Sequence, residues 1–182
     1  MPCQYLTKED FQCIGQVAQH CDTQKLCIAI MEAKDFDLME LFCEDEKIAE
    51  AFEHCEDTSG EWFDLWNGGS YTNKCGKKKT HFGLKRVWVY YAYSRYIMIN
   101  GYNDTPTGFK QKTNDFSLPT PIKELQFFEQ KYRDMGFTAY KKVLDFINKD
   151  SGTCEKCECE KCDGNVTTKT GFKSKIINKD EN

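Results

Sequence analysis

Apolar residues recur along most of the chain at three- and four-residue intervals, the signature of helices with one buried face. A first helix is predicted from Thr7. There Thr7-Lys8-Glu9-Asp10 offers an N-cap hydroxyl with an acid three positions on, close to a capping box, and Phe11, Ile14 and Ala18 follow on one face. A second begins after Asp22 or Thr23 and carries Leu26, Ala29, Ile30 and Ala33. Phe36, Leu38, Leu41 and Phe42 continue that pattern after a bend around Asp35-Phe36-Asp37. Shorter elements cover Ile48 to Cys55 and Trp62 to Trp66.

The texture then changes. Asn67-Gly68-Gly69-Ser70-Tyr71 and Cys75-Gly76-Lys77-Lys78-Lys79-Thr80 are polar and turn-rich, which fits a β-hairpin around 68–82. From Leu84 to Asn100 the helical signal returns, apolar nearly all round, and such a helix must be buried on every side. A small domain can enclose it, and neighbouring subunits can help to. Gly101-Tyr102-Asn103-Asp104-Thr105-Pro106-Thr107-Gly108 cannot extend it. The stretch 101–120 therefore reads as a long loop, of a length that compact domains usually keep for function or leave disordered. The last helix opens with Thr120 as N-cap and Pro121 at its first position. Its stripe is Ile122, Leu125, Phe128, Tyr132 and Met135, extended past a kink at Gly136 by Tyr140, Val143, Leu144 and Ile147. The expected fold is mainly α: a small helical bundle over 1–150 with a short β-hairpin insertion. A polar tail rich in Cys and Lys follows over 151–182.

Composition narrows the function. The net charge is −4, from 25 basic and 29 acidic residues, so the chain is not a globally basic nucleic-acid binder and has no general attraction to anionic membranes. Aromatic residues reach 14%, an excess that suits protein–protein contacts. The N-terminus lacks a secretory signal pattern, and Val87–Ile99, the most apolar run, is too short to span a membrane and contains Arg95. The 11 cysteines are an odd number, and a reducing compartment with free thiols is expected. Cys13, Cys27 and Cys43 then read as small buried hydrophobes.

Three features carry candidate chemistry. Cys154, Cys157, Cys159 and Cys162 form C-x2-C-x-C-x2-C, and thiolates at such spacing can grip zinc. Only Glu158 separates the two knuckles, so a one-ion ring is strained, and a site shared between subunits is easier to build. A reduced tail and interchain disulfides are the alternatives. His20, His54 and His81 are scattered with no triad partner, and no phosphate loop, dinucleotide fingerprint or metalloprotease helix occurs, so no enzyme is expected. Lys77, Lys78 and Lys79 form a basic run that reads as a solvated hairpin tip, a contact to an acidic partner or a phosphate contact.

The block His81–Gly136, above all Tyr91–Tyr96 and Asn100-Gly101-Tyr102-Asn103-Asp104-Thr105-Pro106-Thr107-Gly108, resembles head–tail connector proteins of crAss-like bacteriophages, also called neck, adaptor or first ring proteins. Glu9–Leu38 is similar to the same family, and together the resemblance covers about the first 150 residues. The cysteine tail lies outside it. The resemblance implies a mostly helical, non-enzymatic virion protein with a small hairpin between helices. It implies a homo-oligomeric ring, usually of twelve copies, between the portal protein and the next tail or neck ring protein. Such a ring assembles in the host cytoplasm, contacts no membrane and lines a channel through which DNA passes. Asn103, Asp104, Thr105, Pro106, Thr107, Gly108 and Phe109 are then the candidate subunit or portal contacts, against the plain alternative of a loop packed on its own domain. Lys77 to Lys79 are candidates for the channel or portal. The rival readings are a zinc-dependent nucleic-acid-binding module, a thiol enzyme, and a phage assembly factor that leaves before maturation.

Overall fold

The computed structural model describes residues 6–12, 14, 21–42, 46–56, 58–106, 108–111 and 120–150. The chain divides into a unit Met1–Gly152 and a unit Thr153–Asn182, and the second lies outside the described residues. The described part is mainly helical with two small antiparallel hairpins.

Near the N-terminus, Lys8–Phe11 forms a single 3-10 turn. The Thr7 N–H donates to the Asp10 carboxylate at 2.8 Å, and Phe11 is fully buried. Helix α1 covers Thr23–Glu32. Its N-cap is Asp22, whose carboxylate accepts the N–H groups of Gln24 and Lys25, each at 3.1 Å; that satisfies two of the orphan donors of the first turn. The expected bend around Asp35–Asp37 is a change of winding. Ala33–Leu38 forms a π-helix, and α2, Met39–Phe42, completes the run. Two short helices follow, α3 (Glu46–Glu53) and α4 (Glu61–Asn67).

Strands β1 (Gly69–Thr72) and β2 (Lys78–His81) pair antiparallel from Gly69 opposite His81 to Thr72 opposite Lys78. This is the predicted hairpin. Helix α5, Gly83–Gly101, begins at once, and its entry crosses the exit of α4. Gly83 has φ 76°, and a Cβ there would lie 2.4 Å from the Gly68 nitrogen and from the Trp66 carbonyl oxygen. Only glycine allows that backbone-on-backbone approach.

Helix α5 is the axis of the domain. Leu84, Val87, Trp88, Tyr91, Ala92 and Tyr96 are all buried on it. The run beginning with α1, the short α4 and the long α6 (Ile122–Ile147) all pack on α5. Trp88 joins Phe52 and Trp66 in an aromatic cluster with centroids 5.0–6.3 Å apart, and its Nε1–H donates to the Ile30 carbonyl at 2.9 Å. That bond satisfies the indole and fixes α1 on α5. Enclosure by the chain itself accounts for the apolar residues of α5 from Leu84 to Ala92 and for Tyr96, while Tyr93, Ile97, Met98 and Ile99 are half-buried.

Several expectations need correction, among them the helix predicted from Thr7, which is only the 3-10 turn Lys8–Phe11 among the described residues. The stretch 101–120 is not loop throughout: β3 (Tyr102–Thr105) and β4 (Gly108–Gln111) form a second hairpin. Helix α6 runs uninterrupted through Gly136, which is buried against α5; a Cβ there would lie 3.0 Å from the Tyr91 ring. Pro121, not Thr120, is the N-cap of α6, and its carbonyl accepts from Glu124 and Leu125. Among the cysteines expected as buried thiols, Cys27 is half-buried and disulfide-bonded, as is Cys75. Cys13 and Cys43 lie outside the described residues.

Candidate functional site

The second hairpin carries most of the residues singled out for assembly. Asn103, Asp104 and Thr105 lie on β3, Gly108 and Phe109 on β4, and Pro106 at the turn; Thr107 lies outside the described residues. Gly108 takes φ 103°, which closes the turn, and the Thr105 hydroxyl donates to its carbonyl at 2.6 Å. The base of the hairpin is held by one lysine from α1. Lys25 Nζ donates to the Tyr102 carbonyl at 2.6 Å, the Asn103 Oδ1 at 2.9 Å and the Ile99 carbonyl at 3.3 Å. The ammonium thus collects the carbonyls freed where α5 ends, as cations near helix C-termini do. At the same base, Gln111, opposite Tyr102 in the register, donates through Nε2 to the Thr120 carbonyl. The hairpin is thereby anchored at its root while Asn103, Pro106 and Gly108 remain exposed.

Lys77, Lys78 and Lys79 sit on the first hairpin. The Lys77 N–H donates to Asn73 Oδ1 at 2.8 Å, and Lys79 Nζ lies 3.5 Å from the Asp145 carboxylate of α6. At least one of the three is therefore partly neutralised. His81, at the foot of β2, is buried and stacks on Phe146 at 4.1 Å. Its Nδ1 has no hydrogen-bond partner among the described residues, and burial pushes its pKa below the usual histidine value. Cys154, Cys157, Cys159 and Cys162 lie outside the described residues. Among the described residues no group of three His, Cys, Asp or Glu side chains is placed to hold a metal ion, and no helix is long and apolar enough to cross a membrane.

Pattern reading missed a charge clamp. The π-helix turns Asp37 inward, where it is only 8% exposed. Arg95 of α5 donates to it through Nε at 2.5 Å and Nη2 at 3.1 Å. Arg133 of α6 donates through Nη2 at 2.6 Å and Nη1 at 2.9 Å. Glu32 lies 3.3 Å from Arg95, and Glu129 lies 3.5 Å from Arg133. Hydrogen bonding to Asp37, first of all, pushes the Arg95 pKa further up. One carboxylate thus joins three elements. The sequence did hold a clue: Arg95 interrupts an apolar run, and a cation in such a place needs an anion.

The residue before it does the opposite. Phe36 is 62% exposed, and the Arg95 guanidinium lies 5.6 Å from its ring centroid. Ile28, Met31 and Met39 are also exposed on this helical run. A second apolar surface lies along α6. Of its predicted stripe, Ile122, Phe128 and Met135 remain exposed, while Tyr132 packs edge-on against Tyr93 at 4.6 Å. Off the stripe, Phe127 is 66% exposed. With Phe82, Tyr90 and Met135 it borders a groove of about 530 Å³ between α5 and α6. Phe127 breaks the helical period of its neighbours, and that misfit was the available signal for an outward aromatic.

The model of a family of unknown function, DUF6712, matches residues 47–163. The chain belongs to that family. The DUF6712 match takes in all of α3 but its first residue, α4 to α6, both hairpins and every lining residue of the groove, and it runs past Cys162. No curated protein and no solved structure matches the chain.

Proposed function

We propose that this DUF6712 member is a structural ring protein of a phage neck. It would join the portal to the next tail or neck ring protein and surround the path of the DNA. The observation that carries the reading is a small helical domain with two different uncovered apolar surfaces, one on the α1–α2 run and one along α6. Large exposed apolar patches mark interaction surfaces. Two unlike surfaces on one chain favour head-to-tail association, which closes into a ring when the rotation permits. The anchored hairpin around Pro106 is the part proposed to reach a neighbour or the portal, and Lys77 to Lys79 the part proposed to face the portal or channel. On this reading the protein resides in the virion neck, in a ring matched to the twelvefold portal, and needs no cofactor. Zinc at Cys154, Cys157, Cys159 and Cys162 would add a clasp between subunits.

Quantitative proteomics of purified virions tests the proposal by counting copies against the portal. An equal copy number supports a stacked ring. Absence from the virion refutes it and leaves the transient assembly factor or the zinc-dependent nucleic-acid module. Deleting 103–109 provides the second test: helical content should persist while docking on the portal is lost.

A further inference from the structure

The two apolar surfaces differ in shape and charge in a way that makes them partners for each other. The first is a knob. Phe36 stands on a π-helix, a winding often found at functional sites, and the next residue is pinned by four hydrogen bonds from Arg95 and Arg133. The backbone that presents Phe36 is therefore fixed before any partner arrives, and preorganisation of this kind lowers the entropic cost of binding. The charged residues around the knob are Glu32, Asp35 and Glu40 against Lys34 and Arg95; Arg95, over the Phe36 ring, is paired with Glu32, so the acidic excess comes from Asp35 and Glu40.

The second surface is a groove. Phe82, Tyr90, Phe127 and Met135 supply its apolar lining. Its charges are mainly basic. Arg86 lies over the Phe82 and Tyr90 rings at 5.4 and 5.9 Å, Lys142 lies over Phe82 at 4.5 Å, and Lys131 lines the edge. Within the lining itself Lys131 is offset by Asp134, which accepts from Gln130 at 2.8 Å, so the basic excess comes from Arg86 and Lys142 beside the Phe82 ring. An aromatic anchor in an apolar pocket, with opposite charges at the rims, is how binding energy concentrates at an interface.

We infer that the Phe36 knob of one copy seats in the Phe82–Phe127–Met135 groove of the next copy. Each copy then keeps one knob and one groove open, so the contact repeats around a ring. This pairing deepens the ring reading and rests on it only for closure of the array.

The test uses the full chain with its disulfides intact, with F36E and F127E variants. Both sites are largely exposed, so both variants should keep the wild-type circular dichroism and melting curve. Sedimentation of the wild type should show concentration-dependent association. Each variant alone should associate roughly thirtyfold or more weakly, the expected effect of losing a hot-spot residue. The decisive sample is an equimolar mixture. F36E keeps its groove and F127E keeps its knob, so the mixture should form heterodimers and stop there. A wild type that stays monomeric at millimolar concentration, a variant that assembles normally, or a mixture that stays monomeric would each overturn the pairing. A photoreactive phenylalanine at position 36 gives an independent readout. It should cross-link to peptides containing Phe82, Phe127 or Met135 of an isotopically labelled copy, and cross-links confined elsewhere overturn the pairing. The two proposals also fail separately. Knob-in-groove assembly by a protein absent from virions retains the pairing and removes the connector reading. Virion rings that survive F36E do the reverse.

Discussion

Replacing Asp37 with asparagine removes one negative charge and leaves the volume almost unchanged. Four guanidinium N–H groups now converge on that carboxylate, at 2.5 to 3.1 Å. Removing one partner of a buried ion pair costs about 3–5 kcal/mol, mostly because the remaining charge is left without compensation. Here both arginines keep an acid, Glu32 for Arg95 and Glu129 for Arg133. Their side chains are also 23% and 34% exposed, so water softens the loss. The amide oxygen can still accept from one guanidinium. The expected loss is therefore below that range, at about 2–3 kcal/mol. In urea the unfolding midpoint should fall by about 1 M or more, for a slope of about 2 kcal/mol per molar. A cycle of D37N, R133Q and the double variant should give a coupling of at least about 1 kcal/mol. A loss below about 0.5 kcal/mol, the size of an ordinary surface change, would refute the clamp as a tie between the helices. So would additive single effects.

Other predictions are independent of this one. Gly83→Ala should cost more than about 2 kcal/mol, since it adds a backbone clash at 2.4 Å to a left-handed φ, whereas Gly76→Ala, at φ 74° with open space around it, should cost only about 1–2 kcal/mol; thermal melts of both separate clash from φ. Lys25→Met should leave the helices intact but loosen the second hairpin, seen as faster amide exchange in 102–111 than in α5. His81 gives a pH dependence of defined sign: burial lowers its folded pKa below the unfolded value of about 6.5, so its contribution is complete above that pH and declines as the pH falls toward the folded pKa. The slope cannot exceed about 1.4 kcal/mol per pH unit for one proton, and melts of wild type and His81→Phe between pH 5 and 8 should converge in slope only above the unfolded value.

Helical periodicity made the enclosed α5 and the start of α1 near Asp22 legible, and turn-rich composition the hairpin at 69–81, because each depends on local pattern. What escaped depended on partners far along the chain. Nothing near Tyr102 announces that Lys25, 77 residues earlier, will gather the carbonyls at its base. Why a glycine stands at position 136 shows only once Tyr91 of another helix is placed against it. Phe128 and Met135 obey the helical period and still stay outside, since periodicity marks a face and cannot say what covers it. The candidate surfaces were legible only in part: the residues around Pro106 came from resemblance, while the knob and groove came from exposure.

The Asp37 clamp also bears on the order in which a newborn chain can finish folding. Arg133 is 96 positions after Asp37, so at about 5–20 residues per second a ribosome supplies it about 5–20 s later. For the first 58 of those positions the carboxylate lacks both arginines, and from Arg95 until Arg133 it lacks one. The first half of the domain also holds a central helix whose Tyr90 and Tyr91 side still awaits α6 and Gly136. A chain stopped before Gly136 would present that aromatic side to its neighbours, so premature termination there should give aggregates rather than a soluble half-domain.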